Sequence, residues 1–159
     1  MIRFHPPKDL HRAGRVARAF SLQDVVLAQL DARREVAYGD LAPEASSSSP
    51  TIKFSDDANG KLSEDGATLA VRVEFTVVGS RDDTLLLSVG GEFELRYSRK
   101  VGEAEIEDED ISVFARINGI YNSWPYIREA VSSTFTRLGF PAFTMDSLVI
   151  SPAKEVEEI

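Results

Sequence analysis

Apolar and polar residues alternate along the first two thirds of the chain in the pattern of β-strands. The clearest stretch is residues 68–78, where β-branched and aromatic side chains occupy every second position. Residues 84–97 repeat the pattern, and Gly90–Gly91 within them predicts a bulge or a sharp bend. A strand is also predicted over residues 20–36, with one buried and one wet face. Its buried face takes one parity of positions: Leu22, Val26, Ala28, Leu30 and Ala32.

Polar segments separate these strands. Residues 39–50 include four consecutive serines and have the composition of a flexible loop. A short apolar piece at residues 52–54 precedes a polar loop over residues 55–66, in which Asn59–Gly60 is a turn signal. Because consecutive strands joined by short turns pair antiparallel, we expect an antiparallel meander that is covered on one face.

The hydrophobic period changes to that of helices in the last third of the chain. A short helix is predicted from Ile111 to Gly119, and a second helix from about Trp124, with Pro125 at its first position. The second helix carries an apolar stripe: Ile127, Ala130, Val131, Phe135 and Leu138. The predicted fold is therefore α+β, an antiparallel sheet with helices packed on one face.

The stripe is wider than one thin sheet can cover. We therefore expect a dimer or tetramer whose interface includes Ile127, Val131 and Phe135.

Composition narrows the possible functions. The 159 residues include no cysteine and only two histidines, which excludes disulfide scaffolds, thiol nucleophiles and cysteine zinc sites. No nucleotide-binding, nucleophile-elbow or zinc-protease motif occurs, so we expect no enzyme, no cofactor and no metal. A carboxylate pair assembled only by the fold stays open as an alternative. Because no segment has the length and apolarity of a membrane helix or a signal peptide, we expect a cytoplasmic location and no membrane partner.

The formal charge of -8 is unevenly distributed. Residues 1–36 hold seven basic and four acidic residues, while the remainder is strongly acidic and would repel nucleic acid. In the basic arm, His11, Arg12, Arg15 and Arg18 have the spacing of a short helix, although a frayed, solvated terminus is the favoured interpretation. The acidic run at residues 103–110 is interpreted as a mobile solvated loop rather than a calcium loop.

One segment resembles a known family. The sequence Trp124–Pro125–Tyr126–Ile127–Arg128–Glu129 resembles the [LF]-[FW]-P-Y-A-R-E signature of the SecB preprotein-translocation chaperones. The Gly139–Phe140–Pro141 loop after the helix and the two clearest strands are also similar to that family. The resemblance covers residues 20–150, preceded by a basic arm (residues 1–19) and followed by an acidic tail (residues 151–159).

The resemblance implies a four-stranded antiparallel sheet with helices, assembled as a homotetramer that is a dimer of dimers. It implies an ATP-independent chaperone that binds unfolded polypeptides in apolar grooves, in the service of protein export. The family pattern places the groove at five residues, each of which has ordinary core as its alternative: Phe93, Leu95, Phe140, Phe143 and Leu148. The signature residues to be placed are Trp124, Pro125, Tyr126, Arg128 and Glu129.

Three departures bear on the partners. The family's first-strand acids, which contact the translocation ATPase, fall at Gln29 and Arg33, and its third-strand acid falls near Val89. The family's C-terminal element is shortened here to residues 143–148, and the tail at residues 151–159 carries no metal ligand. The export ATPase is therefore an open partner, and SecB-like chaperones of toxin–antitoxin systems fit better. The alternative function is a dedicated binding module for a single partner such as an antitoxin.

Overall fold

The computed structural model describes residues 2–4, 10–37, 51–100, 102 and 105–150. Its elements, in chain order, are β1 (Ile2–Phe4), α1 (Leu10–Ala19), β2 (Phe20–Arg34), β3 (Thr51–Leu62), β4 (Thr68–Arg81), β5 (Thr84–Arg99), α2 (Asp108–Phe114), a π-helical turn (Ala115–Gly119), α3 (Ile120–Arg137) and β6 (Leu148–Ile150). The predictions for the Ser-rich segment 39–50 and the tail 151–159 lie outside the described residues, and the proposed division into arm, domain and tail stays a prediction.

Four strands form one antiparallel sheet in the order β2-β5-β4-β3. The predicted meander is confirmed for β3, β4 and β5, which pair with their sequence neighbours. The first long strand departs from it, because β2 lies beside β5 and not beside β3. The chain therefore crosses from one edge of the sheet to the other between Arg34 and Thr51, and leaves β2 and β3 as the edge strands.

The strict alternation predicted for residues 68–78 is confirmed in β4. Every second side chain is buried and faces the helices: Leu69, Val71, Val73, Phe75 and Val77. The helical segments contact β3, β4 and β5 from this one face, which places the core between the sheet and the helices. The two-layer α+β arrangement follows from the alternation, because only one face of the sheet is apolar along β4.

The turn predicted at Asn59–Gly60 is wrong, because both residues lie inside the continuous strand β3. Gly60 serves a different purpose there. A Cβ at Gly60 would lie 2.6 Å from Cγ2 of Ile111, so the missing side chain lets α2 approach the strand. The turn between β3 and β4 comes later, where Gly66 has a φ of 68°.

The predicted helix boundary at Gly119 is also wrong. The π-helical turn leads from α2 directly into α3, and Pro125 lies inside α3 instead of at its first position. Gly119 has a helical φ of -58°. A Cβ at Gly119 would lie 2.7 Å from Cγ1 of Val71, so this glycine is required for close packing of the helix on β4.

The apolar stripe of α3 is buried within the chain itself. Ile127 and Val131 are 0% exposed and Phe135 is 3% exposed. These side chains present no surface to another copy, so the assignment of an oligomer interface to them is corrected. The reason is that two surfaces cover the stripe: α3 contacts β4 and β5, and the rings of Phe140 and Phe143, which follow the helix, pack against Phe135. Among the described residues, no helix is long and apolar enough to span a membrane.

The favoured interpretation of residues 10–19 as a frayed terminus is wrong, because they form the ordered helix α1. Ala13 and Val16 are buried. Arg12 reaches Asp110 at 3.0 Å and Arg15 reaches it at 3.4 Å. The helical spacing of the basic residues is thus confirmed, and two of them, Arg12 and Arg15, form ion pairs within the chain.

The interpretation of the acidic run as a solvated loop fails at its C-terminal end. Residues 108–110 form the first turn of α2, and Asp110 is fully buried. Burial alone raises the pKa of a carboxyl. The hydrogen bonds from the Glu107 backbone N–H and from Arg12, with the charge of Arg15, nevertheless hold the pKa of Asp110 below its ordinary value.

Candidate functional site

The edge strand β2 has two irregularities that change which of its side chains share a face. Its register against β5 shifts between Leu22 and Asp24 and again between Leu27 and Gln29. Each shift moves the following residues to the opposite face of the strand. Because directly paired residues share a face, the partners in β5 identify the side that faces the helices. That side carries Leu22, Val25, Leu27, Leu30 and Ala32.

The predicted parity of this strand was therefore correct only in part. Leu22, Leu30 and Ala32 lie on the helix side as expected, whereas Val26 pairs with Glu94 on the outer face. The glycine pair of β5 stays in unbroken register with β4, and the bulges lie in β2 instead. Gly91 allows this close pairing, because a Cβ there would lie 2.6 Å from the backbone oxygen of Gln29.

The helix side of β2 is apolar and only partly covered, because Val25 and Ala32 pack against the core while three leucines stay exposed. Leu22 is 41% exposed, Leu27 is 43% exposed and Leu30 is 41% exposed. Helix α3 contacts β4 and β5, where the facing side chains are buried. We call Leu22, Leu27 and Leu30 the uncovered strip. A row of half-exposed leucines along an edge strand is a surface suited to another polypeptide.

Aromatic side chains extend the uncovered strip towards α3. Phe93 pairs directly with Leu27 across the two strands. Its ring centroid lies 6.0 Å from that of Phe75 and 6.1 Å from that of Tyr126. Tyr126 is 46% exposed, so it stands at the border between the helix and the strip. Phe93 itself is only 4% exposed, so Tyr126 is the accessible aromatic side chain beside the strip.

The other predicted groove residues lie elsewhere. Leu95 is fully buried and faces the core, so the structure places it under the surface and not in an open groove. Phe140 and Phe143 are half-buried, and their rings lie 6.3 and 5.0 Å from that of Phe135 on α3. Leu148 begins β6. The five predicted residues therefore do not form one continuous surface.

The signature residues have divided roles. The Trp124 indole N–H donates to the backbone oxygen of Asp146 at 3.1 Å, and Nε of Arg128 donates to that of Met145 at 2.8 Å. Both side chains hold the segment that follows α3. Three others are at the surface: Pro125, Tyr126 and Glu129.

The outer face of the sheet carries a cluster of acidic side chains, with Arg72 3.7 Å from Glu92. Glu74 pairs directly with Glu92 on one side and with Asp57 on the other. The adjoining depression, about 290 Å³, is lined by Gln29 and Asp31 together with Glu74 and Glu92. The described residues contain no group of side chains arranged to hold a metal ion.

The departures from the family pattern have clear positions. Gln29 and Arg33 are exposed on the outer face of β2, and Arg33 lies 3.7 Å from Asp31. Val89 is fully buried in β5 and faces the helices. The outer face of β2 therefore presents an amide and a cation at the two positions where the resemblance to the SecB chaperones implies acidic residues.

Sequence reasoning missed Leu27, which simple alternation placed on the wet face. The signal was available in the spacing of the apolar residues. Positions 22, 25, 27, 30 and 32 follow steps of three and two, which a strand can place on one face only if it contains bulges.

Comparison with known proteins identifies the fold. No protein-family model matches the chain, and no curated protein matches it. Among solved structures, the chain is similar to the SecB-like chaperone Rv1957 of Mycobacterium tuberculosis, determined in complex with a ChAD peptide from the HigA1 antitoxin. The TM-score is 0.75 at 20% identity, over 87% of this chain and 97% of that chain. A protein of unknown function from Streptococcus agalactiae is also similar, with a TM-score of 0.48 at 14% identity over 80% of this chain and 97% of that chain.

The class defined by the architecture is thus an α+β protein with a four-stranded antiparallel sheet covered by helices, as predicted. The particular fold is that of the SecB-like chaperones.

Proposed function

We propose that this protein is an ATP-independent chaperone of the SecB-like type, which binds unfolded polypeptides and prevents their aggregation. The observation that carries the proposal is the uncovered strip on β2. Its three leucines remain 41–43% exposed although they lie on the face that a helix covers elsewhere. The resemblance of the signature segment and the SecB-like fold support the same function.

The physical basis is burial of apolar surface without recognition of sequence. Transfer of apolar surface out of water contributes about 25 cal/mol per Å², whichever side chain supplies it. A shallow strip of leucines beside Tyr126 can receive many different apolar segments. Because each chain carries a net charge of -8, copies of the protein repel one another, which opposes aggregation through the exposed leucines.

The direct test is suppression of aggregation. Several unrelated proteins are unfolded in denaturant and diluted into buffer with the purified chain and no nucleotide. We expect light scattering by each of them to be suppressed at a near-stoichiometric ratio. If no client is protected at any ratio, the proposal is wrong.

A second candidate is a dedicated partner, and one observation favours it. The similar structure from M. tuberculosis holds a peptide from an antitoxin. In this chain Gln29 and Arg33 also replace the acids that would contact an export ATPase, which speaks against coupling to export. A dedicated module would bind one antitoxin peptide tightly and ignore unrelated clients, whereas a general chaperone would bind them all within a narrow range of affinity.

We also propose that the chain assembles with copies of itself, as the dimer of dimers that the resemblance implies. The interface predicted on α3 is not available, so we place it at the outer edge of β2. This edge strand is 15 residues long, contains no proline and has no strand beside its outer edge within the described residues. A long free edge favours pairing with another chain.

Binding of nucleic acid by the basic arm is not part of the proposal. Arg12 and Arg15 are engaged by Asp110, and Arg12 also lies 2.9 Å from Glu109. Cations already paired with carboxylates within the fold contribute little to phosphate binding.

A further inference from the structure

The segment between α3 and β6, residues 139–147, is held in an unusual way. We call it the strap. Beyond the turn that ends α3 it has neither helix nor strand, and it runs back along α3 to β6. At its beginning, the Phe140 N–H donates to the backbone oxygen of Phe135. At its end, β6 pairs in parallel with β1.

Two side chains of α3 bind the main chain of the strap. Trp124 Nε1 donates to the oxygen of Asp146 at 3.1 Å, and Arg128 Nε donates to the oxygen of Met145 at 2.8 Å. Backbone oxygens are the same in every residue. These two donors can therefore bind any extended chain that lies in the same place.

The side chains of the strap alternate in the manner of a docked peptide. Met145 is 3% exposed, and Phe143 stacks on Phe135 with 5.0 Å between ring centroids. Thr144 and Asp146, which lie between and beyond them, are exposed. Alternate apolar side chains in pockets, with hydrogen bonds to the main chain, are a recurring mode by which proteins bind extended peptides.

We propose that the strap occupies a second polypeptide-binding groove along α3 and competes with clients for it. The groove takes an extended segment with apolar side chains two residues apart, whose backbone oxygens accept from Trp124 and Arg128. The strap is thus an internal substitute for a client, and its release regulates binding. This inference rests on the proposed chaperone function, but it concerns a different surface from the uncovered strip.

The expected change in peptide affinity depends on the fraction of molecules in which the strap occupies the groove. If the groove is open in one molecule in ten, its apparent affinity is about tenfold weaker than that of a groove with the strap released. The double substitution Phe143→Ser, Met145→Ser weakens the strap without altering Trp124 or Arg128. The matched control is Thr144→Ala, which changes an exposed residue of the same segment.

The probe is a labelled synthetic peptide with the sequence of residues 139–148, which contains neither tryptophan nor tyrosine. We expect the double variant to bind this peptide about tenfold more tightly than the wild type does, and the Thr144→Ala variant to match the wild type. Because Trp124 is the only tryptophan of the chain, its emission reports the change directly. Equal affinity in the wild type and a folded double variant would overturn the inference.

A measurement on the unmodified protein covers the case in which the double variant does not fold. Amide hydrogen exchange is compared with and without saturating probe peptide. Displacement of the strap predicts faster exchange at the amide of Phe140, which donates to the backbone oxygen of Phe135, and unchanged or slower exchange there would overturn the inference. If unfolded clients bind the wild type but the strap tests fail, only this inference falls. If no unfolded client binds any variant, it is the proposed function that fails.

Discussion

The most informative substitution is the pair Leu27→Ser, Leu30→Ser on the uncovered strip. Full burial of a leucine side chain stabilises by about 1.5–3 kcal/mol. These residues are 43% and 41% exposed, so a client that covers both gains about 1.3–2.5 kcal/mol from them. We expect the double variant to bind an unfolded client about tenfold to 60-fold more weakly than the wild type does.

The assay is fluorescence anisotropy of a labelled, permanently unfolded client titrated with each variant. The matched control is Leu85→Ser, because Leu85 is also 41% exposed but is the second residue of β5, next to the turn from β4. We expect the control to bind as the wild type does. Melting curves of all variants establish that any loss of binding comes from folded protein.

Two results would refute this reasoning. If the double variant binds clients with unchanged affinity, the strip is not the binding surface. If the Leu85→Ser control loses as much affinity, binding follows total exposed apolar area and the position on β2 is irrelevant.

Three further predictions concern assembly and stability. Val26→Lys puts a charge on the edge strand β2, so the molecular mass from light scattering should fall towards that of one chain. The control Thr76→Lys, on the central strand β4, should leave the mass unchanged. Equal masses for the two variants would contradict the proposed interface. The pKa of Asp110 is lowered in the folded state, so its stabilising effect is complete above its unfolded pKa and is lost as the pH falls through its folded pKa. The melting temperature of the wild type should therefore exceed that of Asp110→Asn at neutral pH and converge with it in acid. A difference that stays constant with pH would be evidence against the ion pairs. Gly119→Ala should lower the free energy of unfolding by about 1–3 kcal/mol through overpacking. Gly14→Ala on α1, where a Cβ would make only an ordinary contact 3.7 Å from Nη1 of Arg18, should raise it by up to about 1 kcal/mol. Denaturant unfolding of both variants measures the two changes.

The hydrophobic pattern of a single segment predicts its structure where burial on one face alone determines that pattern. Residues 68–78 alternate strictly because β4 is central and covered on one face, so its sequence predicts the strand and its buried face together. The signature segment indicated the fold. It could not indicate that Trp124 and Arg128 bind the main chain of a later segment, because that contact depends on the path of the strap.

Non-local contacts explain the remaining errors. Asp110 and Arg12 are 98 residues apart in sequence, so neither the order of α1 nor the burial of this acid can be read from nearby residues. Two glycines are also placed wrongly by the sequence because their role depends on distant residues. The sequence favours a turn at Gly60 and a helix end at Gly119, but each glycine lies where a helix approaches a strand closely.

The strip itself was hidden by the bulges of β2. Simple alternation assumes an unbroken period of two, and each bulge changes the phase. The burial of Ile127, Val131 and Phe135 likewise depends on contacts with the sheet and with the segment that follows α3. Neither the phase changes of β2 nor these contacts of α3 follow from one segment considered alone.

Site-specific photocrosslinking tests the central claim most directly. A photoreactive amino acid is placed at position 27 in one preparation and at position 85 in another, and each is irradiated with a labelled unfolded client. Binding at the uncovered strip predicts a strong crosslink to the client from position 27 and little from position 85. No crosslink from position 27, or equal crosslinking from both positions, would contradict the assignment of client binding to β2.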